Sequence, residues 1–180
     1  MPEPLEMPTD AELISAWLSG DEPAAAELVK RHAGAVARYL GAAGGGDDVD
    51  DLVQEAFFRA FRRLESYRGT ASFRTWVMSI GSNALKDQKR RETRRPVVAL
   101  EDRDIMDETA DPHAASIASD LEARLRAEVA RLPAKQRDVF LLRAQQGTDY
   151  EEIATALGTS VGAARVHYHQ AVKRLKKILG

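Results

Sequence analysis

Residues 149–178 constrain the fold more than any other stretch of this chain. Asp149-Tyr150-Glu151-Glu152 has the spacing of a capping box and predicts a helix start, which residues 153–157 continue for barely two turns. Gly158 then ends the helix, and Ser160 stands where a cap opens a second one running to about Ile178. A short helix, a tight turn and a longer helix make a helix-turn-helix, the unit whose second helix enters the major groove of duplex DNA. Ala154 is small enough for the two helices to approach closely. Ile153, Leu157, Val161, Ala164 and Tyr168 supply their shared apolar core. Residues 133–146, closed by Gly147, predict a further helix beside the pair.

The side chains at the start of the long helix are the candidate DNA contacts. Ser160, by capping, leaves the first amides directed at a phosphate, and Gly162, Ala163, Arg165, His167 and His169 face the groove, with Lys173 further along. Arg165 alone can read guanine through two parallel hydrogen bonds, worth ~1–3 kcal/mol of discrimination. On the residues alone, a small helical bundle whose basic last helix is merely solvated stays open as an alternative. His167 and His169 do not predict a metal site, because residues two apart point about 200° away from each other on a helix.

Upstream the apolar periodicity is also helical. Thr9-Asp10-Ala11-Glu12 fits a capping box for a short first helix ending at Gly20, and Pro23 suits the first turn of a second, reaching about Gly41. In the third helix Val49, Leu52, Val53, Ala56, Phe57, Ala60, Phe61 and Leu64 form one apolar face. Asp47, Asp48, Asp50 and Asp51 occupy its first turn and Arg59, Arg62 and Arg63 its later turns, each favourable beside the facing end of the helix dipole. A fourth helix from about Ser72 buries Phe73, Trp76, Val77, Ile80 and Ala84, turns basic over residues 86–95, and must end before Pro96.

A net charge of −2 conceals strong segregation. Residues 59–95 hold eleven Lys/Arg against three Asp/Glu, residues 161–177 hold five Lys/Arg and no acid, and residues 101–120 hold seven acids and one base. Local charge is what a phosphate backbone meets within a Debye length of roughly 8 Å. The predicted fold class is therefore all-α: two small helical domains, residues 1–95 and 118–180, joined by a flexible acidic linker at 96–117, the C-terminal domain being the helix-turn-helix.

The sequence has no cysteine, which excludes disulfides and thiolate metal sites. No apolar run reaches the roughly 18–20 residues of a membrane helix, and the acidic, proline-rich start does not resemble a signal peptide, so the expectation is a cytoplasmic protein without membrane insertion. No phosphate-binding loop, nucleophile turn or metal-ligand spacing occurs. Neither an enzyme nor a cofactor is expected.

Asp51-Leu52-Val53-Gln54-Glu55-Ala56-Phe57, Tyr67-Arg68-Gly69, Ser72-Phe73-Arg74-Thr75-Trp76 and Asn83 together resemble region 2 of bacterial RNA polymerase sigma factors. Leu132-Pro133, Gln136-Arg137, Phe140-Leu141-Leu142-Arg143, Tyr150-Glu151-Glu152-Ile153-Ala154 and Leu157-Gly158 resemble region 4. Two regions joined directly in a short chain are similar to the extracytoplasmic-function (ECF) group. The resemblance implies a factor that binds core RNA polymerase, directs it to promoters and helps melt the −10 element. Its implied partners are the clamp helices of the largest subunit, the flap of the second-largest, promoter DNA and an anti-sigma factor.

It also distributes roles. Asp51, Gln54, Glu55 and Phe58 lie off the apolar stripe of the third helix and would bind core polymerase, unless Phe58 instead packs on the first helix. Tyr67, Arg68, Phe73 and Arg74 would hold unpaired −10 bases, which aromatic faces stack at ~1–3 kcal/mol each. Trp76 shares the helical spacing of the core. Asn83 would read a base edge, and Lys86, Arg90 and Arg91 would contact phosphates. The helix-turn-helix would take the −35 element. A stand-alone helix-turn-helix regulator, with an N-terminal sensing or dimerisation domain, is the competing reading.

Overall fold

The computed structural model describes residues 7–94 and 115–179. The described residues form α-helices joined by turns and two single 3₁₀ turns, without a strand. The N-terminal unit comprises α1 (Asp10–Leu18), α2 (Glu22–Ala42), α3 (Val49–Arg62) and α4 (Phe73–Arg94). The C-terminal unit comprises α5 (Ala115–Arg131), α6 (Ala134–Ala144), α7 (Tyr150–Leu157) and α8 (Val161–Leu179). Most of the expected linker lies outside the described residues, and α5 starts at Ala115, three residues before the expected boundary.

The first cap forms in full: Glu12 N donates to Thr9 Oγ1 (3.3 Å), and Thr9 N donates to Glu12 Oε2 (2.7 Å). Asp10, one residue on, fastens α1 to α2. Its carboxylate lies 2.7 Å from His32 Nε2 and 3.3 Å from Arg31 Nη1. Nothing in the spacing of His32 announced this partner.

α3 presents its apolar face as the sequence predicts: Leu52, Ala56, Phe57 and Ala60 are buried, and Val53 and Phe61 pack on them. Asp47 and Asp48 sit not in α3 but in the 3₁₀ turn Gly46–Asp48 before it, so only Asp50 and Asp51 belong to its first turn. α4 crosses behind, burying Phe73, Val77, Met78 and Leu85, each worth roughly 1.5–3 kcal/mol of transfer free energy. α4 approaches α2 and α3 closely at Gly81, where an added Cβ would meet Leu40 at 3.1 Å and Ala56 at 3.3 Å. From the C-terminal unit Val139, Leu142, Ile153, Ala164, Ala171 and Leu175 join the same buried core.

The two units touch. α4 packs against both α6 and α7, and α2 against α5 and α6. The N-terminal unit thus uses the back of α4 for its own core and part of its remaining surface for the helix-turn-helix.

Candidate nucleic-acid interface

The stretch joining α3 to α4 runs through the 3₁₀ turn Leu64–Ser66 into an irregular loop that Tyr67 holds in shape. Its hydroxyl donates to Ala71 O at 2.6 Å, and its ring lies 4.9 Å from Trp76 and edge-on to Phe73 at 6.0 Å. Burial, then the charges of Asp10 and Glu152, push the Tyr67 phenol above its usual range. Arg68 and Arg74 flank this aromatic cluster and are exposed. Phe73 departs from the expectation of a base platform. It is 1% exposed, enclosed by His32, Phe61, Tyr67 and Trp76, so its ring serves the core beneath the loop. Trp76 is half-buried and packs on the core, as its spacing predicts.

Along α4 the predicted contacts separate onto two sides. Asn83 and Arg90, seven residues apart, are exposed, with Lys86 between them. Arg91 instead lines a groove with Asp48, Asp51, Glu55, Arg59 and Gln88, on the α3 side. In that groove Arg59 bonds Glu55 at 2.6 Å and Asp87 at 3.2 Å. Arg91 therefore does not share a face with Asn83, because one residue of α-helix turns about 100°.

On α3, Asp51 and Gln54 are exposed and Glu55 is half-exposed. Phe58 is 57% exposed and carries the Arg62 guanidinium 5.6 Å from its ring centre. Phe58 does not pack on α1. Phe61, one position round from the exposed stripe, meets Trp17 of α1 at 5.3 Å. The stripe from Asp51 to Arg62 is one continuous outward strip of acid, amide and aromatic.

In the helix-turn-helix, Gly158 takes φ +59°, the left-handed conformation that ends α7. Ser160 Oγ accepts from Ala163 N at 3.1 Å and so opens α8, as predicted. Gly162, Arg165, His169 and Lys173 are exposed along one stripe, and Ala163 is half-buried at its edge. His167 falls off that stripe: it is half-buried, with Nδ1 shielded from solvent and no hydrogen-bond partner. Arg165 leans over Tyr150 at 5.5 Å and lies 3.9 Å from Glu151.

The second capping box forms only by half. Asp149 Oδ1 accepts from Glu152 N at 2.7 Å, but the Glu152 carboxylate does not turn back. It crosses to the other unit and accepts from Ser72 N, at the start of α4, at 2.9 Å. Burial pushes the Glu152 carboxyl up, yet hydrogen bonds from Ser72 and Thr75 and the charge of Arg74 outweigh it and hold the group below the usual range.

A second crossing lies deeper, on Asp138 of α6, whose side chain is 0% exposed. It accepts from Ser82 Oγ at 2.8 Å and from Lys86 Nζ at 2.7 Å. Tyr39 of α2 is buried here, and burial followed by the Asp138 charge drives its phenol well above the ordinary value. The pairings of Ser72 with Glu152 and of Ser82 and Lys86 with Asp138 could not be read from the sequence, since no short spacing joins residues 52 to 80 positions apart.

Residues 28–95 match the family model described as Sigma-70 region 2, and residues 122–175 match Sigma-70, region 4. The chain is 31% identical over 175 residues to the ECF RNA polymerase sigma-E factor of Haemophilus influenzae, covering 92% of this chain and 93% of that one. It is 32% identical over 175 residues to the ECF RNA polymerase sigma-E factor of Escherichia coli K12, covering 92% of each. Among solved structures, CnrH in complex with the cytosolic domain of CnrY matches with a TM-score of 0.70 at 30% identity, over 94% of this chain and 96% of that one. The sigma factor RpoE of Bartonella quintana, in complex with the anti-sigma factor NepR, shares the fold at TM-score 0.62 and 19% identity, over 85% of this chain and 94% of that one.

Proposed function

This chain belongs to the ECF group of RNA polymerase sigma factors, and from that premise we propose how its surfaces divide the work of transcription initiation. As a factor of this group it binds core RNA polymerase, directs it to promoters and helps melt the −10 region. The exposed strip Asp51, Gln54, Glu55 and Phe58 grips the polymerase clamp helices. The loop around Tyr67, with Arg68 and Arg74, receives unpaired −10 bases above a floor that includes Phe73. Asn83 reads from the exposed side of α4, and Lys86 and Arg90 neutralise phosphates there. Arg165, flanked by Gly162, His169 and Lys173, reads the −35 element, with Ser160 and Ala163 presenting the amides of α8.

The observation that carries this division is the opposition of two unlike faces on one small unit: an aromatic–basic loop and an acidic–amide strip with one exposed ring. Melting then proceeds by differential binding, the loop holding unstacked bases more tightly than duplex. The factor acts by binding and not by catalysis, in the cytoplasm where polymerase and chromosome meet. No helix of the described residues is long and apolar enough to cross a membrane. A protein antagonist of the anti-sigma class belongs to the same proposal. A stand-alone regulator is not favoured, because the region 2 match accounts for the N-terminal half that such a regulator would need for sensing or dimerisation.

The test is run-off transcription with bacterial core polymerase on genomic promoter fragments. Addition of the protein is expected to produce transcripts from asymmetric −35/−10 sites. A core that initiates from no fragment, or a protein that binds a palindromic duplex tightly without polymerase, overturns the reading.

A further inference from the structure

We propose that Tyr150 is a positioning residue for promoter recognition, its ring holding the Arg165 guanidinium in the pose that reads a guanine of the −35 element. The inference rests on the assignment of Arg165 as a base reader.

Arg165 needs holding. Its side chain is 63% exposed and has several rotatable bonds, so an unrestrained guanidinium loses much rotamer freedom whenever it meets a base. Tyr150, the first residue of α7, meets it from the neighbouring helix: Arg165 Cζ lies over the ring, 5.5 Å from its centre. A cation at that distance is drawn to the electron-rich face. A guanidinium uses its own face against the ring and keeps its N–H edge for another partner. Guanine presents O6 and N7 to such an edge, so the two contacts are compatible. Glu151 adds direction without competing. Its Oε1 lies 3.9 Å from Arg165 Nη2, too far for a hydrogen bond, and both groups are exposed, so water and salt screen the attraction.

The ring is itself fixed by its neighbours. Tyr168 of α8 meets it edge-on with centres 6.1 Å apart, and Tyr168 stacks in turn on Phe140 of α6, also at 6.1 Å. Arg143, near the end of α6, sets its guanidinium 5.0 Å from the Tyr150 ring centre and donates from Nη1 to Thr148 O at 3.0 Å. Groups from α6 and α8 thus lock a ring carried by α7. A locked ring can define the place of a mobile side chain, which a ring free to turn could not.

The test uses holoenzyme assembled from the full-length chain and bacterial core polymerase. Selection on a −35 library with Arg165→Ala first locates the base pair whose preference depends on Arg165. The readout is then the ratio of holoenzyme affinities for promoter fragments with and without guanine at that pair. Tyr150→Leu keeps apolar bulk but no π face. It is expected to lower the ratio about fivefold, the size of an exposed cation–π contact, with binding to the fragment lacking guanine as in wild type. Tyr150→Phe keeps the ring and should keep the ratio. In an Arg165→Ala background, Tyr150→Leu should change nothing further at that pair.

A ratio unchanged by Tyr150→Leu overturns the proposal. So does an equal loss on both fragments, which is what a merely structural ring would give. If Tyr150→Leu loses its helical circular dichroism, phenylalanines of increasing fluorine content at position 150 decide the matter. They keep the shape and weaken the π face, so the ratio should fall stepwise with fluorine number, and a flat series overturns the proposal. An Arg165→Ala protein with every −35 preference intact removes Arg165 as a reader and Tyr150 with it. A relaxed Arg165→Ala beside an unaffected Tyr150→Leu removes Tyr150 alone.

Discussion

Truncating Phe58 to alanine isolates the polymerase-binding strip from the fold. The ring is 57% exposed, so of the ~200 Å² a phenylalanine can bury, about 110 Å² still faces water. At ~25 cal/mol per Å² its full burial against a partner is worth about 2.8 kcal/mol, close to a hundredfold in affinity. Arg62 already covers part of one face, which brings the expected loss to between about tenfold and a hundredfold, the range of an interface hot spot. Folding should scarcely notice, because exposed substitutions usually stay within about 0.5 kcal/mol. The assay is competition between labelled wild type and unlabelled Phe58→Ala for core polymerase, run beside a thermal melt of each. Affinity within twofold of wild type, with an unchanged melt, would remove Phe58 from the interface. An equal loss in both measurements would show that the ring supports the fold instead. The companion double variant, Gln54→Ala with Glu55→Ala, should weaken core binding in the same assay and spare the melt.

Arg165→Ala should relax preference within the −35 element, while Lys86→Ala should weaken holoenzyme binding on all sequences alike and lower the salt slope by about one. Selection from a randomised −35 library checks both, and identical preferences in wild type and Arg165→Ala would strike Arg165 as a reader. Thr9→Ala removes one half of a formed capping box and should cost about 1 kcal/mol, visible as a lower melting temperature; an unchanged melt would mean that α1 is held by Asp10 alone. The Glu152 carboxyl, facing Ser72, Thr75, Arg74 and Tyr67, is held below its unfolded value. Its contribution is therefore fully present above the ordinary glutamate range and is lost as pH falls through the lowered folded value. The stability gap between wild type and Glu152→Gln should narrow across that window, and a gap unchanged by acid would contradict the contact.

Local grammar carried most of the fold. Caps at Thr9, Asp149 and Ser160, the stop at Gly158 and the apolar face of α3 are all properties of neighbours within four residues, and each appears where the pattern put it. Spacing alone cannot separate two uses of one side chain. Phe73 suits both a base platform and a core, and burial beside His32 decides for the core. Arg90 and Arg91 are adjacent, alike in sequence and both exposed, but a turn of about 100° sets Arg91 beside the acidic groove of α3. His167 and His169 divide in the same way. What no local pattern encodes is the pairing of distant charges, and those pairs bind the two units together.

Those pairs also bear on how a chain of net charge −2 can serve DNA at all. Its basic modules are strong, yet Lys86 is met by Asp138 of α6 and the start of α4 by Glu152 of α7. Counterion release scales with the phosphates a protein neutralises, so cations already engaged contribute little to non-specific binding. The free protein should accordingly show a shallow salt dependence on non-specific duplex, and Asp138→Ala with Glu152→Gln a steeper one. Equal slopes would mean that the acids do not shield the basic faces.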